Sequence, residues 1–146
     1  MFKNLFNTFS SETLKNKDIN IIVCEDDEIT QVLLVKTLKN LGIKSVAFFE
    51  TAEKLKDHIR NLKKIDKNTV IILDIKMPQD TIQGDELCKK LREEGINCSI
   101  IASTGLKTRS DSLQMFMDDG FSDILIKPYT RNELIEVLDR CSEDFK

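Results

Sequence analysis

The sequence predicts an α/β protein, five strand–helix units in succession around one parallel sheet. Three observations predict it. Short apolar runs alternate along the chain with segments of helical periodicity. The most apolar run, Val70-Ile71-Ile72-Leu73, shows no polar alternation, as befits a strand covered on both faces. Glycines and capping residues stand where the elements should end or begin, at Gly42, Gly95, Gly120, Thr51 and Thr130-x-x-Glu133. Right-handed crossovers between parallel strands then place helices on both faces of the sheet.

The elements follow in order. Ile19 to Cys24 reads as the first strand, ending in the acidic run Glu25-Asp26-Asp27-Glu28. A helix with Ile29, Val32, Leu33, Leu38 and Leu41 as its apolar residues closes at Gly42. Val46 to Phe49 is the second strand, and Thr51 caps a helix carrying Leu55, Ile59 and Leu62. The third strand is the Val70 run, which meets a lone charge at Asp74 and is over by Pro78, which lacks a ladder donor. Gly84 to Glu94 is the third helix, with Leu87, Cys88 and Leu91 inward. Ile100 to Ser103 is the fourth strand and ends in Thr104-Gly105. Thr108-x-x-Asp111 opens the fourth helix, whose Met115-Phe116-Met117 cluster reads as core. Ile124 to Ile126 is a short fifth strand before Lys127-Pro128, and the Thr130 capping box starts a last helix with Leu134, Ile135 and Leu138.

Composition narrows the function. The 146 residues suit one domain, and 40% hydrophobic with 32% charged residues is ordinary for a globular protein. A net charge of -3 is no footprint for nucleic acid. No apolar run approaches the roughly 20 residues that cross a bilayer, and the N-terminus is too polar for a signal-peptide core. Cys24, Cys88, Cys98 and Cys141 form no CxxC pair and read as small buried residues in a reducing compartment, hence a cytoplasmic location. Neither GxGxxG nor GxxxxGK[ST] occurs, which disfavours both common nucleotide-binding loops. His58, the only histidine, lacks any four-helix-bundle pattern around it and is not assigned a relay role.

The chemistry collects at the strand ends. In an open parallel sheet, ligands bind at the carboxyl ends of the strands. There this sequence places Glu25 and Asp26, Asp74, Thr104 and Lys127. Three crowded carboxylates raise one another's pKa, and a hard divalent cation relieves that; oxygen-only ligands with room for waters suit Mg²⁺. Lys127 adds a point charge and Thr104 a hydroxyl, a set suited to phosphoryl transfer with Asp74 as nucleophile.

These residues resemble the receiver domain of two-component response regulators, and a chemotaxis-regulator-like, stand-alone one. The likeness covers about residues 19 to 141 and is carried by Ile22-Val23-Cys24-Glu25-Asp26-Asp27, Leu73-Asp74-Ile75-Lys76-Met77-Pro78, Ser103-Thr104-Gly105 and Lys127-Pro128-Tyr129. The resemblance implies a flavodoxin-like three-layer fold with strand order 2-1-3-4-5. It implies Mg²⁺ at Glu25, Asp26, Asp74 and the backbone carbonyl of Lys76, with Asp26 a direct ligand. Asp74 matches the phosphoacceptor, Thr104 the switch hydroxyl and Lys127 the phosphate-contacting lysine, before a cis Pro128. The implied partners are a histidine kinase or histidine phosphotransfer protein, and a downstream protein met on the face of the fourth and fifth helices and fifth strand. The implied chemistry is phosphoryl uptake and slow autodephosphorylation, not turnover of a substrate.

The sequence departs from the family in three places. Five residues, Gln79 to Gln83, separate Met-Pro from the helix-opening glycine where three are usual. Ile124 stands where an aromatic often reports phosphorylation, with Tyr129 nearby but differently placed. Leu106 stands two past the threonine, at a position often polar, and with Lys76 it sets the surroundings of an attacking water. Two other readings stay open: an interaction module that keeps the fold without phosphorylation, and a receiver cut from a hybrid histidine kinase. A hydrolase would need a cap to select substrate. Only six residues follow Arg140, so output is expected through protein contacts.

Residues 1–18 are expected to be an extension ahead of a domain spanning 19–146. Phe2, Leu5, Phe6 and Phe9 fall at i, i+3, i+4 and i+7, one stripe of a helix. So short a helix is marginal alone. A groove on its own domain or the same stripe on a second copy, as a homodimer, would bury it; self-association or a binding partner is expected over free exposure, and a disordered tail stays the other reading, because Asn4, Asn7 and Thr8 are poor helix formers.

Overall fold

The computed structural model describes residues 13–62, 65–75, 83–105 and 110–143. Five strands, β1 (Asn20–Cys24), β2 (Ser45–Phe49), β3 (Thr69–Asp74), β4 (Ser99–Thr104) and β5 (Asp123–Ile126), form one sheet in the order β2-β1-β3-β4-β5. Every pairing is parallel. The helices are α1 (Glu28–Asn40), α2 (Ala52–Asn61), α3 (Gly84–Glu93), α4 (Ser110–Asp118) and α5 (Arg131–Glu143). This is the flavodoxin-like (βα)5 arrangement with the expected strand order, and boundaries move by only a residue or two.

Side chains alternate across each strand, so the sheet divides the core in two. Ile21, Val23, Val70, Ile72, Ile101 and Leu125 face α1 and α5. Ile22, Cys24, Ile71, Leu73, Ile100 and Ala102 face α2, α3 and α4. β3 and β4 are buried at every position, which is why β3 reads as an unbroken apolar run.

Capping follows the expected chemistry. Thr51 Oγ1 accepts from Lys54 N at 3.2 Å. Thr130 and Glu133 form a reciprocal box, Glu133 N to Thr130 Oγ1 at 3.1 Å and Thr130 N to Glu133 Oε1 at 3.2 Å. Gly42 ends α1 at φ +91°, a conformation that other residues adopt only with strain.

Two apolar clusters behave otherwise than expected. In α1 the buried stripe is Leu34 and Leu38, continued by Leu41, while Ile29, Val32 and Leu33 are 71%, 60% and 60% exposed. One helical face cannot hold all of them, because neighbouring residues point about 100° apart. The same geometry corrects α4: Phe116 is buried, but Met115 and Met117 lie at the surface and are not core.

The stripe Phe2, Leu5, Phe6 and Phe9 lies outside the described residues. Leu14, within the segment assigned to the extension, is buried in the α1–α5 core. Lys15 N donates to Asp139 Oδ1 of α5 at 3.0 Å. The four cysteines are buried thiols. Among the described residues, no helix is long and apolar enough to cross a membrane.

Candidate functional site

The chain leaves β1 at Glu25, whose N–H donates to Phe49 O at 3.0 Å and carries the β1–β2 pairing one step further. Gln31 of α1 reaches back and donates its amide to the Glu25 carbonyl. The side chain of Glu25 is thereby held inward and is 4% exposed. The run of four acids splits at this point. Glu25 and Asp26 belong to the sheet edge, whereas Asp27 is the N-cap of α1, accepting from Thr30 N at 2.9 Å, and Glu28 begins that helix. Those Thr30 hydrogen bonds, first from the hydroxyl and then from the backbone, hold the Asp27 carboxyl below its usual range.

β3 delivers Asp74 beside this pair. Cys24 stands opposite Leu73 and Asp74 opposite Ser103, so β3 reaches one residue further than the β1 ladder. Ile75 N donates to Ser103 O at 3.0 Å, and Gly84 N donates to Ile75 O at 3.2 Å. Gly84 is required there: a Cβ would run into the backbone carbonyl of Asp74. The opening glycine of α3 thus lets that helix press on the strand end that holds Asp74.

Lys127 arrives from the far edge. Its N–H donates to Thr104 O at 2.7 Å, and the Lys127–Pro128 peptide is cis. Its Nζ donates to both oxygens of Glu25, at 3.1 and 3.0 Å, and stands 3.5 Å from Asp74 Oδ2. Thr104, buried, ends β4 on the same side of the sheet.

Glu25, Asp26 and Asp74 each offer a carboxylate oxygen within 4.8 Å of the others. Burial pushes Glu25 up to about 7, and the Asp74 charge adds to this against the pull of Lys127. Burial works against the charge on Lys127, but the Glu25 hydrogen bond and the Asp74 charge prevail, and its pKa is raised. Burial, and then the charges of Glu25 and Asp74, push Tyr129 up to about 12. One ammonium therefore faces more carboxylate than it neutralises. An all-oxygen donor set with surplus negative charge fits Mg²⁺.

The structure brings Glu25, Asp26, Asp74, Thr104 and Lys127 to one edge, with Tyr129 half-buried against the α1–α5 core. Ile124 packs, half-buried, against the other core. Lys76 and Leu106, and all of the long Gln79 loop but Gln83, lie outside the described residues. His58 is in ring contact with Phe49, centroids 4.8 Å apart. Sequence reasoning missed Gln31, which carries no motif and acts only through a contact across a turn. It also missed the close approach that Gly84 permits.

A sequence profile of the response regulator receiver domain matches residues 21–139. The chain belongs to the response regulator receiver domain family. This receiver is 28% identical over 130 residues to the transcription factor SKN7 of Saccharomyces cerevisiae, covering 88% of this chain but 19% of that protein. It is 26% identical over 125 residues to the two-component response regulator ARR22 of Arabidopsis thaliana, covering 86% of this chain and 84% of that one. Against the Francisella response regulator 1452 receiver domain it superposes with a TM-score of 0.76 at 23% identity, covering 88% of this chain and 100% of that one. The receiver thus spans about a fifth of one curated relative and most of another. The family is one of signalling proteins in two-component systems.

Proposed function

We propose that this receiver accepts a phosphoryl group on Asp74 from the phosphohistidine of a histidine kinase or histidine phosphotransfer protein. The observation that carries the reading is the cluster of Glu25, Asp26 and Asp74 carboxylates within 4.8 Å, with Lys127 bonded across two of them. An Asp74 oxygen attacks phosphorus, the phosphorus–nitrogen bond to the donor imidazole breaks, and the imidazole leaves with the bonding pair. Lys127 supplies a cation beside the Asp74 oxygens, where the new phosphoryl oxygens would lie. Thr104 provides a hydroxyl for the acyl phosphate. Glu25, Asp26, Asp74 and the Lys76 carbonyl would hold Mg²⁺, which when bound neutralises charge on the transferring group.

The protein is read as a phosphoacceptor and not as an enzyme with substrate turnover. Output passes through protein contacts on the α4–β5–α5 face, where Met115, Met117 and Ile126 are exposed. Four thiols suit a reducing cytoplasm.

The test is intact mass after incubation with Mg²⁺ and a small acyl phosphate. The wild type should gain one phosphoryl group, and Asp74→Asn should gain none while keeping the fold. A wild type that gains nothing would leave the interaction module that keeps only the fold. An Asp74→Asn variant phosphorylated as fully as wild type would move the acceptor elsewhere.

A further inference from the structure

Two members of the carboxylate cluster, Glu25 and Asp26, share one peptide bond, and its carbonyl is the acceptor that Gln31 grips. A peptide is a rigid plane, so turning it changes ψ of Glu25 and φ of Asp26 together. Those two torsions aim both side chains. On one side of this plane, Glu25 N donates to Phe49 O at 3.0 Å, one step past the end of β1. On the other, Thr30 N donates to the capping Asp27 at 2.9 Å. Gln31 holds the plane between these two anchors.

The helix puts Gln31 where it can do this. It is the fourth residue of α1, and its own N–H donates to Asp27 O at 2.9 Å, which fixes its backbone in the first turn. Helical side chains lean toward the N-terminus of their helix, which aims this one back at the strand end. Its side-chain amide donates without carrying charge. It therefore adds no second cation to a site where Lys127 already bonds both oxygens of Glu25. We propose that Gln31 is a positioning residue for Mg²⁺: by fixing the Glu25–Asp26 peptide plane it holds both carboxylates ready for the ion, without touching the ion itself. This role rests on the reading of Glu25, Asp26 and Asp74 as the metal site. Losing a partner that orients a metal ligand commonly lowers metal affinity by roughly 10- to 100-fold.

Calorimetric titration of the full chain with Mg²⁺ tests this. Gln31→Met keeps the length and the helix propensity of glutamine and removes the donor. It should weaken Mg²⁺ binding about tenfold, while the melting temperature in chelator stays near that of wild type. In the metal-free chain, the carbonyl carbon of Glu25 and the amide of Asp26 should shift in Gln31→Met, and those of Val70 and Ile101 should not. Gln31→Arg sets an N–H donor the same number of bonds from its Cα, so both resonances should return toward wild type. Equal Mg²⁺ affinity in wild type and Gln31→Met would overturn the proposal and leave the metal site standing, even if the variant melted lower, as loss of a merely structural residue would make it. Glu25 and Asp26 resonances that stay as shifted in Gln31→Arg as in Gln31→Met would overturn it too. A wild type that binds no Mg²⁺ would overturn the metal reading itself, and the role of Gln31 with it.

Discussion

On the α2–α3–α4 face of the sheet, Leu55, Leu87 and Leu91 are wholly enclosed, and the outer sides of α2 and α3 are charged at Glu53, Lys54, Asp57, Glu86, Lys89 and Lys90. On the α1–α5 face the inner stripe is as dry, with Leu38 and Leu138 wholly enclosed, yet α1 also carries Ile29, Val32 and Leu33 into solvent. The number of apolar residues in a helix is thus a poor measure of what that helix gives to the core. Residues on the stripe support the sheet; those beyond it lie at the surface.

The largest expected effect separates the two kinds. Leu87→Ala should cost about 2–5 kcal/mol in chemical denaturation, because it opens a cavity in a closed core. Leu33→Ala should stay within about 0.5 kcal/mol, as surface changes do. Equal costs for Leu87→Ala and Leu33→Ala would break the contrast.

Next comes Glu25, at the sheet edge where both faces meet the site. Its folded pKa is raised from 4.5 to about 7 by burial, so the folded state holds a proton that the unfolded state releases. Its contribution to stability is therefore favourable below about pH 4.5 and is lost as pH rises through about 7. Relative to wild type, Glu25→Gln should gain stability as pH rises across that window. Denaturation in chelator at several pH values measures this; a stability difference independent of pH would contradict the burial of that charge.

Mg²⁺ should act on the same edge from the other direction. At ten times its dissociation constant it should stabilise the fold by about 1.4 kcal/mol through mass action. Asp26→Asn should abolish most of that gain, since Asp26 completes the carboxylate cluster. A melting temperature indifferent to millimolar Mg²⁺ would remove the metal from the site.

A further effect concerns the start of α5. Thr130→Ala should cost about 1 kcal/mol, as loss of an N-cap does. If the cost were nil, the reciprocal Thr130–Glu133 box would contribute nothing to that face. Thermal melts of the variant beside wild type decide it.

Much of the site could be read in the chain because strand ends are local facts. Asp74 ends an apolar run, and Lys127 precedes a proline after a short strand; neither needs a distant residue to be placed. The capping boxes are local too, since donor and acceptor lie within four residues. Gln31 was not legible, because its partner is a backbone carbonyl, and every residue has one. Nor was the exposure of Leu33, which turns on a rotation of α1 that its own apolar residues leave ambiguous.

By itself, the sequence determined the order and kind of the elements, the two-sided burial of the sheet, and the convergence of acids and a lysine at its carboxyl edge. Periodicity and chain direction are enough for that. Among the four acids the sequence had already assigned Glu25 and Asp26 to the site, and only the tertiary structure showed that Asp27 caps α1 and Glu28 begins it. It also decided that Lys127 grips Glu25, 102 residues away, more closely than Asp74. The physical reason is that such contacts are set by the register of three neighbouring parallel pairings and by the pressure of α3 through Gly84 on β3. These distances emerge only when all the strands are in place.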